Sequence, residues 1–170
     1  MHRSSLAIEL ASRADVPEIL DLQECNLLDN GGMLSVPLSH AWIEAAISDM
    51  PVLVARSDGR VVGYVAATTL AAQADIPIVE LMLRTYPGSA GAYIYGPICV
   101  AESRRGCGLA RAMFAELLAR LPGREGFTLH STRQHCLDSG AHRDGNVGGR
   151  PPNSLMAASP ISWSSIRGDG

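Results

Sequence analysis

The stretch from Ile98 to Phe114, "ICVAESRRGCGLARAMF", limits what this chain can fold into more than any other. It opens as an apolar, strand-like run and ends as an alanine- and leucine-rich helix, with two arginines and two glycines between. A buried strand that feeds a helix in this way returns to its sheet by a crossover. The segment therefore calls for a layered sheet-and-helix domain.

The flanking sequence fills in that architecture. "LAIELAS" (Leu6 to Ser12) reads as a first strand. "DVPEILDLQECNLL" reads as a helix with Asp15 as N-cap, Pro17 in the first turn and Glu18 three residues after the cap. Ile19, Leu20, Leu22 and Leu27 would form its buried face. A second helix is predicted through "LSHAWIEAAIS", capped by Ser39, with Glu44 on its polar side. Two β-rich runs, Val52 to Arg56 and Val61 to Thr69, flank Asp58-Gly59, a dipeptide suited to a tight hairpin turn. A short helix should start near Asp75 and stop before Pro87, followed by a strand, "AGAYIYGPICVAE", interrupted at Gly96-Pro97. The helix over about residues 108–121 would bury Ala110, Met113, Phe114, Leu117, Leu118 and Leu121. "GFTLHST" is a fifth strand. The order is βααββ, a short helix, then βαβ.

Composition narrows the class of protein. The 170 residues suffice for one domain with a full core. A net charge of −3 argues against nucleic-acid binding through a general basic surface. No run approaches the ~18 uninterrupted apolar residues of a membrane span. The four cysteines show no regular spacing and the N-terminus no secretory pattern. A cytoplasmic protein with free thiols and no membrane partner is expected.

The glycines at the helix start admit two readings. The first amides of a helix lack intrahelical partners and carry partial positive charge, and glycine lets an anion approach them closely. In "RRGCGLA", Gly106 and Gly108 sit where a phosphate could be wrapped, with Arg104 and Arg105 adding donors. Alternatively the glycines only shape a tight strand-to-helix connection and the arginines are solvated.

The turn is neither Gly-x-Gly-x-x-Gly nor a P-loop. It closely resembles the acetyl-CoA-binding motif of the GNAT superfamily of N-acetyltransferases, Gln/Arg-x-x-Gly-x-Gly/Ala, in Arg105-Gly106-Cys107-Gly108-Leu109-Ala110. The preceding "ICVAES" looks like the fourth strand of that family. The resemblance runs over residues 6 to 132 in element order and is most specific over 98 to 121. It implies an α/β (α+β) fold, a mixed, mostly antiparallel sheet flanked by helices, in a domain of residues 1–132. It also implies acetyl-CoA as acyl donor, with its diphosphate held by the amides of Cys107 to Ala110. The strand edge at Ile98, Cys99 and Val100 would pair with the pantetheine arm.

The implied reaction moves an acyl group from the CoA thioester to an amine of a small molecule or protein, without a metal. Candidate bases are Glu80 and the tyrosines Tyr95 and Tyr93. For Glu80 the plainer reading is a solvated helix face, and for the tyrosines strand packing. Cys107 reads as a variable position of the turn rather than a nucleophile, and His130 as structural. The acceptor pocket would be lined by the Asn26–Pro37 connection and the Gln73–Pro87 insertion. Homodimers are common in the family, though no residue pattern here signals one.

Beyond Ser131 the sequence loses its periodicity and is dense in Gly, Pro and Ser. Residues 133–170 read as a disordered tail, and the family's C-terminal strands and catalytic acid are expected to be missing. Arg133 to Gly145, back-translated with permitted codons and read one nucleotide later, can give Asp-Asn-Thr-Ala-Ser-Ile-Arg-Ala-His-Thr-Ala-Met-Gly. That string looks like the family's next segment. A second offset from Pro152 onward can give a terminal β-strand. The tail thus has the character of a frame-shifted sequence with impaired activity. The alternatives are a catalytically inactive CoA-binding or regulatory domain, or another nucleotide binder using the same turn.

Overall fold

The computed structural model describes residues 6–131 apart from 33, 35 and 36, and residues 147–149 and 161–167. In chain order its elements are β1 (Leu6–Leu10), α1 (Val16–Glu24), α2 (His40–Asp49), β2 (Val52–Ser57), β3 (Arg60–Thr69) and α3 (Pro77–Thr85). They continue as β4 (Tyr93–Val100), α4 (Leu109–Arg120), β5 (Glu125–Ser131), β6 (Val147–Gly149) and β7 (Ile161–Arg167). The strands form a mixed, mostly antiparallel sheet accompanied by four α-helices, as expected. Two compact units are distinguished: residues up to Ala67 with Gly96–Arg120, and Thr68–Tyr95 with the residues from Leu121 onward.

In the first unit β1, β2 and β3 are antiparallel neighbours. The β2–β3 hairpin turns as its sequence requires, because Asp58 (φ 52°) and Gly59 (φ 80°) both take left-handed conformations. Each strand runs one residue further into the turn than predicted. The core gathers Val16, Ile19 and Leu22 of α1, Ile43 of α2, Val54, Tyr64 and Cys99. Helix α4 buries Leu109, Met113 and Leu117. Ala110, expected in that face, is exposed, while Phe114 and Leu118 are half-buried. The buried stripe follows the bulkier side chains at i, i+4 and i+8. Met113 lies so close over β3 that a Cβ on Gly63 would come within 3.0 Å of its Cε.

Helix α1 starts where predicted, but its cap is arranged differently. Asp15 Oδ2 accepts from the Ser12 amide (2.7 Å) and hydroxyl (3.0 Å), and its Oδ1 accepts from Arg56 Nη2. Glu18, expected to close the cap, instead accepts from the Val61 amide at 2.9 Å. Arg56 Nε also donates to Glu9 at 2.6 Å, so one guanidinium gathers carboxylates from β1 and the entrance to α1. Helix α2 is capped as predicted, Ser39 Oγ accepting from the Trp42 amide at 3.2 Å.

In the second unit α3 begins at Pro77, after a single 3-10 turn at Ala71–Gln73, and ends before Pro87. Val79 and Met82 pack with Ala92, Ile94 and Phe127. Here β4 pairs in parallel with β5 at Tyr93↔Gly126 and Ile94↔Phe127. A Cβ on Gly126 would lie 2.7 Å from Tyr93 Cζ, so the glycine makes room for the ring. Glu125 is buried and accepts from Tyr86 Oη (3.1 Å) and the Ser89 amide (3.0 Å).

The sequence leaves the region past Ser131 without strands, but two segments there are described as such. β7 pairs antiparallel along β5, from Glu125↔Arg167 to Ser131↔Ile161, and β6 pairs antiparallel with β7. The Ile161-Ser162-Trp163-Ser164 alternation has the period of a strand. The rest of the expected tail, with Cys136 and the 133–145 segment, lies outside the described residues.

Burial by itself would raise the Asp15 pKa, but the Ser12 amide and the Arg56 guanidinium outweigh it and hold the carboxyl below its ordinary value. A carboxyl so depressed stabilises the fold above its unfolded pKa of about 4, and this is lost as pH falls through the lower native value. Asp15→Asn is expected to lower stability by about 2–3 kcal/mol at pH 7 in urea unfolding. The gap from the parent should close as pH falls below about 4; a gap constant down to about pH 2 would contradict the ionised pair.

Candidate functional site

The turn between β4 and α4 is built from backbone conformation. After Val100 the chain makes one 3-10 turn, Glu102–Arg104, and reaches Leu109 through Arg105–Gly108. Gly106 (φ 74°) and Gly108 (φ 77°) are both left-handed. A Cβ built on either meets nothing within 4 Å. Glycine is therefore required here by φ and not by crowding, and the space beside it is open. Left-handed residues in such a turn direct successive N–H groups toward one concavity, and the first amides of α4 continue it. Cys107 is exposed, its thiol 3.7 Å from the Arg105 carbonyl oxygen.

The two arginines, read from sequence as anion donors, also fasten this turn. Arg104 Nη2 donates to Ser57 Oγ at 2.5 Å, tying it to the end of β2. Arg105 donates through Nε to the Val100 carbonyl (3.4 Å) and through Nη2 to Asn26 Oδ1 (3.1 Å). Asn26 is itself buried and donates to the Leu22 carbonyl at 2.8 Å. Beside Arg105 a cleft of about 520 Å³ is lined by Leu22, Cys25, Ala101, Glu102, Ser103 and Arg105.

Along β4, Cys99 is buried, and burial pushes its thiol pKa up to about 11 against the opposing pull of Tyr64 and Arg105. It is a core side chain, not a reactive one. Strand alternation puts Ile98 and Val100, both half-buried, on the other face. Gln23 was not anticipated. Its amide is buried, donates to the Leu38 carbonyl (2.9 Å) and accepts from the Leu38 amide (3.0 Å), with Tyr64 Oη at 3.3 Å. Gln23 thereby pins the end of the connection between α1 and α2. Neither Gln23, Asn26 nor Ser57 carries a sequence signal beyond being polar next to an apolar stripe.

Ile98 to Ala110 are thus collected within the first unit, whereas Glu80, Tyr93 and Tyr95 belong to the second. Glu80 is exposed and accepts from Arg84 Nη2 at 2.6 Å, an i,i+4 pair on α3. Tyr95 is buried. Tyr93 is fully buried, and its hydroxyl has no hydrogen-bond partner among the described residues. Burial raises its pKa despite the opposing Arg124, so the phenol stays protonated at neutral pH.

Open left-handed glycines leading into a helix leave its first amides accessible, and helix starts of this kind can hold anions. The family model described as Acetyltransferase (GNAT) family matches residues 16–142, and the chain belongs to that family. Solved structures share the fold at low identity. The ribosomal-protein-S18-alanine N-acetyltransferase of Escherichia coli superposes with a TM-score of 0.69 at 9% identity, over 98% of this chain and 96% of its own. yncA of Salmonella typhimurium, solved with its cofactor acetyl-CoA, gives 0.65 at 15% identity over 98% and 96%. A GNAT-family acetyltransferase of Bacillus cereus gives 0.67 at 12% over 98% and 99%. No curated protein matches the chain. GNAT enzymes draw the acetyl group from acetyl-CoA, which is accordingly the donor for this acyltransferase.

A Cβ at residue 108 would force an alanine into a conformation that costs about 1–2 kcal/mol. Gly108→Ala is expected to weaken CoA binding about tenfold or more in calorimetry and to lower the melting temperature by about 2–8 °C. Unaltered affinity would remove this turn from the binding site.

Proposed function

We propose that the chain transfers an acetyl group from acetyl-CoA to an amine, with the amides of Cys107, Gly108, Leu109 and Ala110 holding the diphosphate. The observation that carries this reading is the pair of left-handed glycines, open above their Cα atoms, at the start of α4. Arg105 and Gly106 shape the turn. The backbone of Ile98, Cys99 and Val100 offers the peptide-like groups with which a pantetheine arm pairs. The bound donor supplies a thioester, and proximity to a neutral amine carries much of the rate. Glu80 and Tyr95 are the proposed proton-handling candidates, Glu80 as the exposed one. The acceptor is an amine of a small molecule or a protein. A second copy of the chain is a further proposed partner, and the cytoplasm the proposed location. No helix among the described residues is long and apolar enough to cross a membrane.

A second reading, a CoA-binding domain with little turnover, is favoured by the sequence after Ser131. There residues 133–145, back-translated with permitted codons and read one nucleotide later, can give a string that looks like the family's next segment. On this reading 1–132 is the cofactor-binding domain and 133–170 a frame-shifted tail.

Two measurements on the 170-residue chain separate these. Titration with acetyl-CoA should give saturable heat; none from folded protein at about millimolar donor, far weaker than typical cofactor affinities, would end both readings. Free-thiol release with a panel of small amines and a peptide with a free N-terminus should then be weak or absent. Robust release would reject the impaired-tail reading and leave acetyl transfer standing. Sequencing the gene across codons 125 to 170 tests the frame directly, since codons unable to yield the alternative strings would exclude a shift.

A further inference from the structure

The cofactor turn and the connection after α1 meet at one side chain. Asn26 lies just past the Cys25 C-cap of that helix, its amide donating to the Gln23 carbonyl at 2.9 Å. Its main-chain oxygen accepts from the Leu34 amide (2.9 Å), closing the loop 27–34 on itself. Gly32 fits against that same carbonyl so tightly that a Cβ would fall 1.9 Å from the oxygen. The side chain is equally committed. Nδ2 donates to the Leu22 carbonyl at 2.8 Å, which fixes the amide orientation and leaves Oδ1 facing the guanidinium of Arg105 at 3.1 Å. A flipped amide would set donor against donor there and acceptor against acceptor at Leu22.

We propose that Asn26 is a positioning residue that couples its bond with the Leu34 amide to the cofactor turn by holding the Arg105 guanidinium. The inference rests on the reading of that turn as the acetyl-CoA site. The bond is charge-assisted, and its acceptor is buried while the arginine is exposed. Without it, Arg105 keeps its contact to the Val100 carbonyl but loses the partner that fixes the far end of its plane. Each anion bound at the turn would then have to order that side chain as well. The coupling is reciprocal: a cofactor that fixes the turn must also steady the loop that Asn26 closes.

The test is a double-substitution cycle read in the dissociation constant for CoA, using the full chain. Asn26→Ala should weaken binding about five- to tenfold. Arg105→Ala should weaken it at least as much, and the double variant no more than Arg105→Ala alone. Should Asn26→Ala fail to fold, Arg105→Ala at its exposed position still carries the test through hydrogen exchange. CoA should slow exchange of the Leu34 amide in the parent and not in Arg105→Ala. An unchanged affinity in a folded Asn26→Ala, multiplicative effects in the double variant, or equal Leu34 protection in both proteins would overturn the coupling while leaving the turn in place. If the parent chain binds no CoA, the reading of the turn and this proposal fail together.

Discussion

The first unit is arranged around a backbone constraint. Between Val100 and Leu109 the chain must reverse from strand to helix within a few residues, and it does so through two left-handed glycines at 106 and 108. For any L-residue with a Cβ each such conformation costs about 1–2 kcal/mol. Two of them close together would consume a sizeable share of a domain's net stability, so the glycines are a condition of the fold and not an ornament of the site. The same geometry opens the space in front of the amides. Fold and the proposed binding therefore share one cause, and a change that spoils the turn would spoil both.

A loop made of permissive residues needs fastening, because glycine lowers the barrier to alternative conformations as well as to the native one. The fastening here is polar and peripheral. Arg104 reaches Ser57 and Arg105 reaches Asn26, so the turn is anchored to the hairpin and to the end of α1. Partly buried charge-assisted hydrogen bonds suit this task, since they fix orientation without demanding the full desolvation of an interior ion pair. Arg56 does the corresponding work at the entrance to α1, where Asp15 is withdrawn from water and compensated by Ser12 and the guanidinium. All these fastenings lie within the same compact unit.

This division explains what was legible in the sequence. Features fixed by residues close in the chain could be read: the Asp58-Gly59 hairpin, the Ser39 cap, Pro77 opening α3, and the glycine turn. Each depends on a φ preference or a missing N–H that travels with the residue itself. Features fixed by partners far along the chain could not. The Arg104–Ser57 and Arg105–Asn26 bonds span 47 and 79 residues, and Glu18 leaves its expected capping role for Val61, 43 residues on. The buried face of α4 is legible at Met113 and Leu117 but not at its start, because Ala110 and Leu109 both fit an apolar period and only packing chooses Leu109. The candidate bases were the least legible, since a glutamate or a tyrosine acquires a catalytic role only from its surroundings.

Those surroundings allow holding the cofactor and turning it over to come apart. The proposed cradle, from Ile98 to Ala110, lies in one unit with Ser57 and Asn26, which fasten its turn. Tyr93, Tyr95 and Glu80 belong to the other, where burial keeps the Tyr93 proton in place and Arg84 pairs with Glu80. Proton transfer depends on a base and an acid placed within hydrogen-bond reach of the reacting atoms, whereas anion binding depends on amides that a helix start provides regardless. A disturbance of the sequence after Ser131 would thus strike the more exacting of the two requirements first. The proposed amide cradle, which depends on two glycine conformations, would be the last element of function to go.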